Sequence, residues 1–362
     1  MKKLYRRSLL VLLSALFAPS LLGTARAQAP APSEIRISNP GVGVGNRPVV
    51  GGSAIATMHL RGLLEEEFKA EGIKITWMFL RGAGPAVNEL FANDLTDFSS
   101  LGDLPSIVGR SSGLSYRALA STSIRGNSYV IVPADSNIQS VGDLRGRRVA
   151  VQKGTASHLK GVKILEAHGL TERDVRLVNM EGNAARAAIV TGDIDAAISG
   201  VDGLGLRDQG AARVVFSTKG GDPRLTSNGL FLGSEKFIRQ YPEHTKRVLK
   251  TFIKAAQWLA ERDGAPQEAF QLWTRSGSTF AGYKEDWGGD SLRYRLSPLI
   301  DPYVVSVYGS QITEAKRFGL IRKTFDFGQF VDSSFLAAAL RELQLEQYWL
   351  PRDPSTGKPA TS

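Results

Sequence analysis

Residues 73–101, IKITWMFLRGAGPAVNELFANDLTDFSSL, decide the fold class. An apolar run over 73–80 rich in Ile, Trp and Phe is followed by a Gly/Pro loop, a short helical pattern over 85–93 and a second apolar run over 96–101. Strand, helix and strand within about 30 residues is the length of one βαβ unit, whose two strands pair in parallel.

The same alternation continues in both directions. Upstream, Glu34 to Ser38 alternates as an earlier strand, and Ser53 can cap one helix carrying Leu60, Leu63, Leu64 and Phe68 on a single face, ended by Gly72. Downstream, a strand over 128–133 and another within 146–151 open a second series: helix 155–168, strand 175–179, helix 184–191, and strands 194–198 and 213–217. This predicts an α/β protein with mostly parallel sheets and a crossing between lobes near Ser128. From Ser234 the pattern turns helical, clearest where Val248, Leu249, Phe252, Ile253, Ala256 and Leu259 share one face. Residues 351–362 are polar with Pro and Gly, which predicts a flexible tail.

The first 27 residues read as a cleavable export signal. Lys2, Lys3, Arg6 and Arg7 precede an apolar stretch from Leu9 to Leu22, and Ala25-Arg26-Ala27 is a small-x-small cleavage site. The stretch is broken by Pro19 and is shorter than the roughly 20 residues that span a bilayer. Arg6-Arg7 also suits a twin-arginine signal, so the export route stays open. With no cysteine in the chain there is no lipid-attachment site, disulfide or thiolate metal site, and a soluble periplasmic product without a lipid anchor is expected. Cleavage after Ala27 would lower the formal charge from +10 to +5, a mild excess without a basic run. That argues against nucleic acid as a partner and is compatible with an anionic solute.

Apparent catalytic motifs fail on context. In Gly41-Val-Gly-Val-Gly45 the third glycine of a dinucleotide fingerprint would fall at Asn46, and Gly109-Arg-Ser-Ser-Gly113 has a helix before it and a strand after it, the reverse of a nucleophile elbow. His59, His158, His168 and His244 have no metal-binding spacing, and only His158 lies close to a suspected site. No cofactor is expected. Three loops place free N–H groups at expected helix starts and suit an anion: Gly51-Gly-Ser53, Gly82-Ala-Gly-Pro85 and Lys153 to Ser157.

Four segments in order carry a family resemblance. They are ITWMFLRGAGPAVNELFANDLTDFSSLGDLPSIVGRSSG from Ile75, SNIQSVGDLRGRRVAVQKGTASHLKGVKILEAHGLTERDVRLVNM from Ser136, ARAAIVTGDIDAAI from Ala185 and AKRFGLIRKTFDFGQFVD from Ala315. The sequence resembles the periplasmic binding proteins of the aliphatic sulfonate, nitrate and taurine importers, a group related to thiamine-pyrimidine synthase-like proteins. The resemblance implies a two-lobed periplasmic binding protein of type II, with lobe one from 34–125 and 232–350, lobe two from 126–231, and hinge strands near 123–127. It implies a small solute in the cleft, closure on binding, an ABC importer permease as partner, a monomer and no chemistry. Aliphatic sulfonate ranks first as ligand, then nitrate, taurine or a carboxylate, then a neutral nitrogenous compound. A ligand-presenting role toward a membrane sensor stays open, and the related synthases need a cysteine-rich motif that this chain lacks.

Carried over by position, the ligand-binding candidates are Ser53, Ala83, Gly84, Gly102 and Asp103 from lobe one and Gly154, Thr155 and Ala156 from lobe two. Two departures add Arg81, whose guanidinium is expected over the cleft for a carboxylate or sulfonate, and Ser199, where Ser199-Gly-Val-Asp-Gly203 replaces an aromatic W-D-P-Y run and predicts a larger pocket.

Overall fold

The computed structural model describes residues 31–359, so the expected export signal lies outside the described residues. In chain order the strands are β1 (Glu34–Asn39), β2 (Lys74–Phe79), β3 (Phe98–Gly102), β4 (Tyr116–Gly126), β5 (Tyr129–Pro133), β6 (Arg148–Val151), β7 (Arg176–Asn179), β8 (Ala196–Ser199), β9 (Ala212–Ser217) and β10 (Ser227–Ser234). They form two five-stranded sheets, one in each lobe, ordered β2-β1-β3-β10-β4 and β7-β6-β8-β5-β9.

Both sheets are mixed. β1 pairs in parallel with β2 and β3, and β6 with β7 and β8, with Ile37 opposite both Trp77 and Phe98. β10 is antiparallel to β3 and β4, and β5 to β8 and β9. Half of the pairings are therefore parallel, where the sequence pattern predicts most. The reason lies at the crossings: β4 leads through Asn127 and Ser128 directly into β5, and β10 returns after β9, so neither needs the crossover helix that parallel pairing requires. The return begins at Ser227, several residues ahead of the expected boundary at 231/232, which falls inside β10.

Local chemistry explains the helices. Ser53 accepts from the Ala56 amide and caps helix Ala54–Leu60, but Gly62 in the left-handed region splits the expected single helix, and Leu63–Phe68 starts anew. The longest helix, Pro242–Ala260, starts on proline, whose missing N–H costs nothing in a first turn, and buries the predicted apolar face. Phe252 of that helix stacks on Phe231, which stacks on Phe98, with ring centroids 5.1 and 5.7 Å apart. Each such ring taken from water contributes about 1.5–3 kcal/mol.

The expected flexible tail is anchored at Arg352 and Gly357, while most of its other residues up to Pro359 are exposed. Arg352 is buried, donating from its backbone amide (2.8 Å) and Nε (2.6 Å) to Asp301, and from its Nη atoms to the Tyr294 and Leu299 carbonyls. A bridge from Arg352 to Pro359 closes the segment into a small loop. Composition predicts exposure here because it cannot register an ion-pair partner 51 positions away.

Candidate interlobe ligand site

In each lobe the loops after the parallel strands lead into helices. After β2 and β3 these are Ala83–Ala92 and Asp103–Ser111; after β6, β7 and β8 they are Ala156–Ala167, Gly182–Thr191 and Val201–Asp208. The carboxyl ends of parallel strands are where open α/β sheets bind ligands. Here those ends meet across the lobes. A Cβ added to Gly102 would lie 2.9 Å from the Ala156 methyl, and one on Gly154 would lie 3.1 Å from Pro85. Gln152 donates across the seam to the Arg81 carbonyl at 3.0 Å, and the Asn183 amide oxygen accepts from the Gly45 N–H at 3.1 Å. Each helix N-terminus carries roughly half a positive charge. Of these five helix starts, three already hold a carboxylate of the chain itself, Asp103, Glu181 and Asp202.

On the lobe-two side the seam opens into a cavity of about 180 Å³ at the ends of β6 and β8. Ile131, Val151, Met180 and Ile198 supply apolar wall, and Gln152, Ser157, Arg186, Ser199 and Asp202 the polar lining. Arg186 is largely buried and forms an ion pair with Asp202, whose other carboxylate oxygen accepts from Ser199 Oγ at 3.3 Å. Burial pushes the Arg186 pKa below the usual guanidinium value. A guanidinium so desolvated requires an anionic partner.

A family model described as NMT1/THI5 like matches residues 67–269, more than half of the chain. The chain belongs to the NMT1/THI5-like family. Among relatives of the same kind, a putative aliphatic sulfonates-binding protein of Bacillus subtilis (strain 168) is 27% identical over 285 residues, covering 78% of this chain and 83% of that protein. The crystal structure of a putative sulfonate ABC transporter periplasmic sulfonate-binding protein, SsuA, from Methylobacillus flagellatus KT matches with a TM-score of 0.71 at 29% identity, covering 88% of this chain and 97% of that one. The desulfurization enzyme DszB matches with a TM-score of 0.64 at 20% identity, covering 85% and 99%, and so shares the fold.

Within this NMT1/THI5-like frame the expected site residues separate into groups. Gly102, Gly154 and Ala156 sit where the lobes meet, Gly84 packs closely on Pro105 within lobe one, and Ala83 is held at a positive φ of 51° to start its helix. Thr155 is turned inward, its hydroxyl donating to the Gln152 carbonyl at 2.6 Å. Ser199 lines the cavity. Ser53 spends its hydroxyl on its own helix. Arg81 does not hang free over the cleft: its guanidinium is 3.7 Å from Glu181 of lobe two, so its partner is a protein carboxylate. His158 is structural, accepting from the Gly154 amide and bonding Glu172.

Asp103 departs most from expectation. It has no exposed surface, and its carboxylate accepts from the amides of Leu104 and Asn228 and from Gln311 Nε2 at 2.8–3.0 Å. Burial raises its pKa against those bonds and against the nearby Lys160 charge. Lys160, on helix Ala156–Ala167 of lobe two, is 7% exposed and reaches both crossing segments, the Asn127 carbonyl (3.4 Å) and Ser227 Oγ (3.3 Å). Burial lowers its pKa, against the pull of Asp103 and Asp286. Asp103 and Lys160 thus both bind the crossing segments, Asp103 through the Asn228 amide and Lys160 through the Asn127 carbonyl and Ser227 Oγ.

Sequence reasoning missed Arg186, Asp202 and Lys160. Arg186 lies in the quoted segment ARAAIVTGDIDAAI, where an arginine between alanines reads as a solvated helix face; its partner 16 residues on, in a Gly-rich stretch, gives no periodic signal. Among the described residues no cluster of His, Cys, Asp and Glu could hold a metal, and no helix is long and apolar enough to cross a membrane.

Proposed function

We propose that this chain is the periplasmic solute-binding component of an ABC importer, taking a small organic anion between its lobes, with an aliphatic sulfonate as the expected ligand. The observation that carries this reading is the lobe-two side of the seam: the starts of three helices and one buried guanidinium line a partly apolar cavity, which suits an anionic head on a short organic body. The sulfonate-binding names of its relatives support the same ligand class. Export by a cleaved signal, freedom from a lipid anchor, a monomeric state and a permease partner that reads the closed form complete the proposal.

An enzymatic role is the weaker reading. The fold is shared with DszB, but the cavity lining contains neither His nor Cys and its one arginine is held by an aspartate. Binding requires no covalent step and uses every feature of the seam.

The test is calorimetric titration of the mature protein with propane-1-sulfonate, nitrate and benzoate, alongside thermal melts. A bound ligand at a hundredfold excess over Kd stabilises by about 2.7 kcal/mol. A rise in melting temperature with propane-1-sulfonate is expected; if none of the three anions binds, the anion reading is wrong.

A further inference from the structure

The cavity already contains an anionic group, and it is covalently part of the chain. Arg186 is the buried cation of the lobe-two cavity, and the Asp202 carboxylate takes its guanidinium while also accepting from Ser199 Oγ at 3.3 Å. Asp202 also sits in the first turn of helix Val201–Asp208, where the N-terminal dipole favours negative charge. A guanidinium, a hydroxyl and a helix N-terminus are the donors a solute's anionic group would seek.

We infer that Asp202 is a selectivity residue that acts as a tethered competitor, occupying Arg186 until a solute anion displaces it. The inference rests on the proposed reading of this cleft as a site for an organic anion. Displacement is feasible because Ser199 and the helix N-terminus remain to hold the released carboxylate. It has a cost, because two negative groups then share one guanidinium in a partly dry cavity, where like charges are poorly screened. Anions that offer Arg186 only charge gain little over Asp202, whereas a solute whose body also fills the apolar wall of Ile131, Met180 and Ile198 recovers the difference by burial. The site thereby discriminates against small inorganic anions without a steric filter. Arg186 has a second tie, to Asn183, so its position is set by its own helix and does not depend on Asp202 alone.

The experiment titrates wild type, Asp202→Asn, Asp202→Ser and the double variant Arg186→Met/Asp202→Asn with nitrate and propane-1-sulfonate by calorimetry, with melting curves of each. Asn and Ser are both good residues for a helix start, so at least one variant folds with the helix intact. Both single variants should bind nitrate roughly tenfold or more tightly than wild type and gain less for propane-1-sulfonate, and the double variant should lose that gain. Unchanged or weaker nitrate binding in both folded single variants overturns the inference while propane-1-sulfonate binding by wild type keeps the cleft reading. Failure of every protein to bind either anion overturns both.

Discussion

The first lobe packs its sheet under the Phe98–Phe231–Phe252 stack and a 19-residue helix, whereas the second packs an equivalent strand plan with Val130, Val149, Ile164 and alanines. In both, the parallel trio is ordered second-first-third and is joined by an antiparallel crossing strand. The same frame thus carries different fillings. The aromatic lobe has the larger core and also anchors the end of the described chain through Arg352. The aliphatic lobe carries the cavity and its ion pair on the seam. The larger core thus lies in one lobe and the cavity in the other.

If that division holds, Phe231→Ala should be the most damaging change, costing about 3–5 kcal/mol by urea unfolding, because it removes the middle ring of the stack from a site with no exposure. Arg352→Met should cost a comparable 3–5 kcal/mol or slightly less, since it strands the buried Asp301 carboxylate. Removal of a tail that was merely frayed would leave the urea midpoint where it was. In lobe two, Ile164→Val should cost only about 0.5–1.5 kcal/mol; a loss as large as that from Phe231→Ala would erase the distinction between the cores.

Gly102→Val tests the seam rather than either core. Glycine's φ of −66° here is open to any residue, and an added Cβ meets only Ala156 across the lobes. The variant should keep the wild-type melting temperature while sulfonate affinity falls about tenfold, equivalent to 1.4 kcal/mol, with no ligand-induced compaction in X-ray scattering. The smallest effect is expected at Asp353, whose carboxylate accepts from Ser355 and Thr356 and has a pKa lowered from 3.8 to about 2. A depressed pKa contributes stability above the unfolded value that is lost as pH falls through the folded one. The loop closed by Arg352 should therefore loosen between about pH 4 and pH 2, read as faster hydrogen exchange at Gly357, and Asp353→Asn should remove that pH dependence.

Most strands and the long helix were legible in the sequence because their apolar spacing is periodic: Val248 through Leu259 mark the helix face, and 73–101 mark the βαβ unit. Helix Val201–Asp208 escaped because Gly203 and Gly205 lower its intrinsic propensity. Its reason is tertiary, since a side chain at Gly203 would strike Ser199 and Ile131. The parallel bias of the sheets was overread, as pairing direction at β5 and β10 depends on how the chain crosses between lobes. At the site, motif position could not reveal that Asp103 is buried against Asn228 and Gln311, which lie 125 and 208 positions away. Charges paired over such separations leave no local signature.

Lys160 and Asp103 give the hinge a property that a solvated joint would lack. Lys160 rides with lobe two yet holds both crossing strands, while Asp103 stays with lobe one and holds only the returning strand. Rotation of the lobes must slide an ammonium along its acceptors in a place with little water to substitute for them. Intermediate angles would leave buried polar groups without partners, which costs free energy. Such a joint would favour a few angles between the lobes over a continuous range.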